Sequence, residues 1–256
     1  MLDSVDDDSR KYRAPALEKG LDVLELLSQH GAPLTPSQMS AMLGRSVSEL
    51  FRMIQVLEFR GYIEPSSSGY RLTNRLFTLG IAHGPAKDLV EAALPHMREL
   101  AEATVQSCHL VVRSGDQIVV VARIEAPGDL GYSVRIGYRR SIIEATSGLL
   151  FYGFANERTQ GQLRDSLTAL HGKKRVADYV AAASVAAGEG HAERPSDFVK
   201  GVTDLVAPVL GADGIIATLI TPYIERTPPP GTLQDAVDHL RRAADAISGE
   251  MGHSAV

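Results

Sequence analysis

Between residues 14 and 84 the apolar positions fall in blocks of helical spacing, each opened by a cap residue and closed by a turn. The first block predicts an amphipathic helix over residues 15–29. The next, Thr35-Pro36-Ser37-Gln38-Met39-Ser40-Ala41-Met42-Leu43, predicts a short helix with threonine at the N-cap, proline at the first helical position and Gly44 as a positive-φ stop. Ser46-Val47-Ser48-Glu49 is a capping box. The Ser46 hydroxyl and the Glu49 carboxylate satisfy each other's backbone N–H groups, so a helix starts there and runs to Arg60. Leu50, Met53, Ile54 and Leu57, and less regularly Val56, give that helix a packing face, leaving Ser48, Glu49, Arg52, Gln55 and Glu58 on the other. Two helices about three residues apart must cross sharply, the geometry that pushes the second into a major groove. Residues 61–65 and 69–73 then flank Ser66-Ser67-Ser68 as two short alternating runs about a turn. This order of elements predicts a winged helix-turn-helix over residues 14–73, which reads double-stranded DNA or serves as a protein-binding module.

Residues 74–87 place Leu76, Phe77, Leu79, Gly80 and Ile81 before Gly84-Pro85 and predict a linker helix. From 88 to 251 helical and strand signals alternate. Apolar residues at 89, 90, 93, 94, 97, 100, 101 and 105 predict a helix that Pro95 either bends or starts. Residues 110–113 and 118–122 predict a hairpin about Ser114-Gly115-Asp116, and 132–137 is a third run to pair beside it. Segments 146–155 and 160–170 read as helices. A second hairpin joins 202–210 to 215–221, and 233–251 closes the chain as a helix. The alternation predicts an α+β fold with an antiparallel sheet in the second domain.

At 256 residues with 44% hydrophobic and 22% charged content, the chain can bury one large core and a smaller one. Residues 10–84 carry nine Lys and Arg against six Asp and Glu in a chain of net charge −5, and a basic segment suits a partner with phosphates. Residues 1–13, with Asp3, Asp6, Asp7 and Asp8, predict a disordered acidic tail. Cys108 is the one cysteine, which excludes an internal disulfide and a four-cysteine zinc site and suits a reducing cytoplasm. No run approaches the roughly 18 apolar residues of a membrane span, and the acidic start is unlike a signal peptide. A cytoplasmic protein without membrane partner, metal or other cofactor is expected.

Several segments stand in a family-like order: 16–24, Ser48-Glu49-Leu50-Phe51-Arg52-Met53-Ile54, and Leu57-Glu58-Phe59-Arg60-Gly61-Tyr62-Ile63. In the second half they are Val134-Arg135-Ile136-Gly137, Ala145-Thr146, 201–209 and Asp213-Gly214. By these the chain resembles, over about residues 14–250, an IclR-type transcriptional regulator. The resemblance implies a GAF-like effector-binding and oligomerisation domain over 88–251, and a homodimer or homotetramer on a palindromic or repeated operator. It also implies a small-molecule effector, an organic or aromatic acid. Leu149-Leu150 stand where the family has a Gly-Lys pair, and Ser141-Ile142-Ile143-Glu144 replaces its Pro-Leu-His.

Arg52 is placed on the groove side of the reading helix, for phosphate or guanine. Arg45, Ser46, Ser48 and Glu49 set the helix on the DNA, and Arg71 offers the wing to phosphate. Leu17, Leu21, Leu24 and the linker helix supply apolar surface for a dimer contact. Thr146-Ser147-Gly148 opens a helix whose N–H groups would take a carboxylate without a cationic side chain, or is an ordinary helix start. By the resemblance the effector pocket also draws on His109, Asp204 and Thr221, with Glu193 at its rim. Asp204 is either exposed at its strand end or a buried acceptor that demands a donor from the ligand. Arg135, Arg139 and Arg140 either attract an acid or form a solvated face. His191-Ala192-Glu193 has a deaminase-like His-x-Glu without the downstream cysteine pair. Ser147, Cys108 and the histidines form no nucleophile elbow or dyad, so no catalytic residue is expected. The leading expectation is a ligand-responsive one-component regulator, in the first instance a repressor. The alternatives are a small-molecule enzyme with an accessory helical domain and a helix-turn-helix protein-binding module.

Overall fold

A computed structural model describes residues 14–81, 85–128 and 131–253, in two compact units that divide between Gly84 and Pro85. The expected acidic tail lies outside the described residues.

The first unit runs α1 (Pro15–His30), α2 (Pro36–Leu43), α3 (Val47–Phe59), β1 (Ile63–Ser66), β2 (Gly69–Leu72) and α4 (Arg75–Ile81). Both expected capping boxes form: Thr35 accepts from Gln38 N–H, and Ser46 from Glu49 N–H, with the return bond in each case. Gly44 ends α2 at φ 64°, where a Cβ would be strained. Val23, Leu27, Leu34, Met39, Leu50, Ile54 and Ile63 form the core, so α1, α2 and α3 all bury one stripe against the hairpin. Leu34 exchanges backbone bonds with Tyr70, lashing the wing to the α1–α2 connection. That approach leaves no room beside Gly69 (φ 133°), whose absent Cβ would overlap the Leu34 carbonyl.

The second unit runs α5 (Pro85–Thr104), β3 (Cys108–Ser114), β4 (Gln117–Ile124), β5 (Arg139–Ser141), α6 (Thr146–Gly153), α7 (Glu157–His171), α8 (Lys173–Glu189), β6 (Ala192–Pro195), β7 (Val202–Gly211), β8 (Gly214–Ile224) and α9 (Leu233–Glu250). The strands form one antiparallel sheet in the order β5-β4-β3-β8-β7-β6. One face packs Leu110, Leu205, Leu219 and Tyr223 against Met97 and Leu100 of α5 and Leu240 and Ile247 of α9. The other packs Val111, Val120 and Val206 against Leu150, Leu167 and Tyr179 of α6, α7 and α8.

A bulge sets which β4 residues reach which face. Leu110 pairs with Ala122, whereas the next residue, Val111, pairs with Val120, leaving Val121 as the extra residue. Ala122 therefore joins the α5/α9 core while Ile118 and Val120 join the α6/α8 side.

The fold class agrees with the sequence expectation, with local differences. The helix expected from residue 89 begins at Pro85, and Pro95 lies inside it, costing one ladder bond without ending it. Residues 132–137 are not a strand: the ladder with β4 spans only 139–141, preceded by single backbone bonds from the Gly137 N–H to the Val120 carbonyl and from the Val120 N–H to the Tyr138 carbonyl. The helix α8 and the edge strand β6 had no counterpart in the sequence reading. No helix among the described residues is long and apolar enough to cross a membrane.

Candidate functional site

In the first unit α3 presents Ser48, Arg52 and Gln55 to solvent, opposite the buried Leu50 and Ile54. Arg52 has no hydrogen-bond or ion-pair partner among the described residues. The other sequence-nominated groups are held within the unit. Arg45 pairs with Asp22 at 2.9 Å, and the wing residue Arg71 with Glu64 at 2.7 Å. Glu49 accepts from Lys19 Nζ at 2.9 Å and from the Ser46 N–H at 3.0 Å. The Lys19 bond first, then the cap bonds, draw the Glu49 carboxyl down to about 2, so it stays a carboxylate. Ser46 serves as N-cap, with its hydroxyl 3.2 Å from that of Ser48. Ser46, Ser48 and Arg52 thus gather on the outer face, and Arg45, Glu49 and Arg71 brace it.

In the second unit the sheet face opposite α5 and α9 opens into a cavity. Its inner free volume is about 60 Å³, and its total empty space out to the open mouth is about 520 Å³. Val111, Ile118, Val120, Val134, Ile220 and Pro222 make the apolar wall, and Tyr132, Tyr138 and Phe198 contribute rings. Polar atoms come from His109, Thr146, Ser147, Arg140 and Asp204. Strand alternation explains the set: Asp204 pairs with Pro222 and His109 with Ile220, and paired residues share a face.

Asp204 accepts a hydrogen bond from the Thr146 hydroxyl at 3.2 Å. Burial pushes its carboxyl above the ordinary range, partly offset by the Thr146 bond and the charge of Arg140, and reinforced by Asp197. Asp204 falls between the two readings open for it: it is half-buried at the cavity wall, with one donor supplied by Thr146. His109 is buried, and its Nε2 accepts the Val134 N–H at 2.8 Å, fixing the proton on Nδ1. Burial, then the charge of Arg123, lowers its pKa from 6.5 to about 4, so the ring is neutral at pH 7. Arg140 lies 4.1 Å over the Phe198 ring, bonds Asp197 at 3.0 Å and approaches Glu144 at 3.7 Å. It is the one cation among the described lining residues, and its charge is already matched by carboxylates.

The helix α6 begins after Ala145, which supplies no side-chain cap, so the Thr146 and Ser147 N–H groups face the cavity end without one. The Gly148 N–H is committed to the Ala145 carbonyl at 2.9 Å, and the Gly148 carbonyl accepts from the Tyr179 hydroxyl. A Cβ at Gly148 would overlap the Ile142 carbonyl, so the residue serves close packing. His109, Thr146, Ser147 and Asp204 are brought together; Gly148, Glu193 and Thr221 do not line the cavity. Glu193 is exposed on β6. Thr221 pairs with Leu205 and so faces α5 and α9, its buried hydroxyl without a partner. The sequence reading missed Tyr132, Tyr138 and Phe198, and it weighed Arg140 only as part of an arginine cluster. Parity was an available signal only within one strand, where Val206 shares the face of Asp204; placing Ile220 and Pro222 on that face and Thr221 off it takes the β7–β8 register.

Nothing in this arrangement prepares a nucleophile. Burial pushes the Cys108 thiol up to about 12, leaving it protonated and bonded to the Met97 carbonyl. Among the described residues no group of three or more His, Cys, Asp or Glu is placed to hold a metal ion.

A winged helix-turn-helix followed by a linker helix and an antiparallel-sheet domain with an apolar cavity defines a DNA-binding regulator with an effector domain. Two family descriptions match the chain, the IclR helix-turn-helix domain over residues 16–67 and the bacterial transcriptional regulator IclR C-terminal region over 85–170. The chain belongs to the IclR family of bacterial transcriptional regulators. It is 26% identical to the HTH-type transcriptional regulator KdgR of Escherichia coli over 224 residues, 85% of each chain. The HTH-type transcriptional repressor AllR of the same species is 25% identical over 147 residues, 56% of this chain and 54% of that one. Among solved structures, an IclR homolog from Microbacterium hydrocarbonoxydans complexed with 4-hydroxybenzoate superposes with TM-score 0.75 at 20% identity, covering 92% of this chain and 98% of that one.

Proposed function

We propose that this chain is a one-component repressor that binds operator DNA as a homodimer or homotetramer and releases it when a small aromatic hydroxy acid occupies the cavity. The observation that carries the ligand reading is the pairing of an apolar, ring-lined cavity with one half-buried carboxylate acceptor, Asp204, whose partner is Thr146. A ligand hydroxyl supplies a second donor to this half-buried carboxylate beside that of Thr146, while the ring replaces water against Val120, Ile220 and Phe198. The acid group is assigned to the uncapped Thr146 and Ser147 N–H groups, because Arg140 is already paired. The ligand 4-hydroxybenzoate seen in a structural neighbour has this combination of ring, hydroxyl and carboxylate. On the DNA side, the outward Ser48, Arg52 and Gln55 of α3 are the contacts proposed, with the half-exposed Leu17 and Leu21 of α1 and Leu76 of α4 as the dimer surface.

The test is operator affinity measured with and without 4-hydroxybenzoate, benzoate and 4-aminobenzoate, at fixed salt. A ligand shifts DNA affinity only through its differential affinity for the two conformations, so binding must be read together with release. The reading expects 4-hydroxybenzoate to raise the melting temperature and weaken operator binding, with benzoate less effective. Three ring acids that leave both quantities unmoved would sink the ligand assignment.

A further inference from the structure

The reading helix carries an apolar pair that the packing of its own unit does not use. Val47 is 40% and Phe51 51% exposed, one helical turn apart on α3, while Leu50 and Ile54 fill the core. Glu49 on one flank of α3 is tied to Lys19 of α1. Glu58, two turns below Phe51 and therefore on its flank, accepts the Tyr70 hydroxyl of β2 at 3.2 Å. Val47 and Phe51 thus lie on the wing side, at the edge of the exposed surface formed by Ser48, Arg52 and Gln55.

The N-terminal residues of a recognition helix are those that meet base edges in the major groove. Those edges are donors and acceptors, with one apolar exception, the C5-methyl of thymine. An aromatic ring set among Ser48, Arg52 and Gln55 has that methyl as its complement. A second protein surface is the other conceivable cover, but the free Arg52 cation beside the ring favours a phosphate-bearing partner. We propose that Phe51, backed by Val47, reads a thymine methyl in each operator half-site, adjacent to the base or phosphate met by Arg52. The inference rests on the DNA-reading role of α3 and adds to it the identity of one base.

The experiment selects an operator from a random-sequence duplex library with the full chain. It then replaces each thymine singly by deoxyuridine, which removes only the methyl group, and measures affinity at fixed salt. One thymine per half-site should show a loss of about four-fold, the value of burying one methyl-sized group. Phe51→Ala should bind the thymine and uracil duplexes equally at that position, whereas Arg52→Ala should still separate them. Uracil duplexes that all bind the wild-type chain like the parent would overturn the proposal. So would a Phe51→Ala variant that keeps the discrimination, or one whose sedimentation changes while its DNA affinity does not. A chain that enriches no sequence at all refutes the DNA-reading role itself, a result distinct from a selected operator that ignores methyl removal.

Discussion

Replacing His109 with glutamine tests whether a neutral, acceptor imidazole holds the cavity wall. The Val134 N–H points at His109 Nε2 at 2.8 Å, and Val134 with Tyr132 lines the cavity. Protonation would set an N–H donor against an N–H donor and release that segment. The folded pKa of about 4 lies below the ordinary 6.5, so between these values the folded chain binds fewer protons than the unfolded one. The stability due to neutral His109 is therefore complete above pH 6.5 and is lost as pH falls through 4. At pH 5 the unfolded ring is almost wholly charged and the folded one mostly neutral, which costs about 2 kcal/mol relative to pH 7.5. For a unit of this size that is a fall of roughly 4–8 °C in melting temperature. Glutamine keeps an acceptor for Val134 and does not titrate. Urea unfolding of both proteins at pH 7.5 and pH 5 isolates the effect, because every other group titrates in each. A His109→Gln chain whose stability falls as steeply as the wild type between these pH values would refute a neutral, buried His109.

Gly148→Ala should destabilise the ligand-free second unit by about 3 kcal/mol, since its Cβ meets the Ile142 carbonyl rather than a flexible side chain; thermal melting within 2 °C or so of wild type would show that the backbone relaxes. Ser46→Ala removes the N-cap of α3 and should cost about 1 kcal/mol in the first unit, read by chemical denaturation, with operator affinity falling alongside. Asp204 has its folded pKa raised, so it favours folding most below the ordinary 3.8 and loses that advantage as pH rises through the folded value. Asp204→Asn should accordingly melt above wild type at pH 7 without ligand, the gap closing near pH 3.5, while the preference for 4-hydroxybenzoate over benzoate narrows. An Asn variant that melts lower at neutral pH would indicate that the Asp204 charge has a compensating partner.

The first unit was legible because its signals are local. Thr35, Ser46 and Gly44 fix helix ends through bonds that span three or four residues, and the alternation about Ser66-Ser67-Ser68 needs no distant partner. In the second unit α8 escaped notice because its buried face is Val176, Tyr179, Ala183 and Ala186, and alanines give little contrast between a packed and a solvated stripe. At the cavity, Asp204 and Thr146 were readable by resemblance, but their bond joins β7 to α6 across the fold. Arg140 looked solvated from its neighbours Arg135 and Arg139; its burial depends on Phe198 and Asp197, which arrive from the β6–β7 connection. Thr221 and Gly148 needed strand register and backbone proximity, neither of which is written in the order of the residues.

The extra residue at Val121 gives β4 two opposite allegiances. Ahead of it Ile118 and Val120 wall the cavity; after it Ala122 belongs to the hydrophobic layer beneath α5 and α9. Deleting Val121 would restore one-to-one pairing of Leu110 with Ala122 and Val111 with Val120 and leave Ile118 and Val120 on the cavity side and Ala122 beneath α5 and α9. Substituting it keeps the bulge and changes one contact. At this position the chain should tolerate a change of count as well as a change of letter, because the surplus residue lets residues 120 and 122, two apart in sequence, serve opposite layers of the domain.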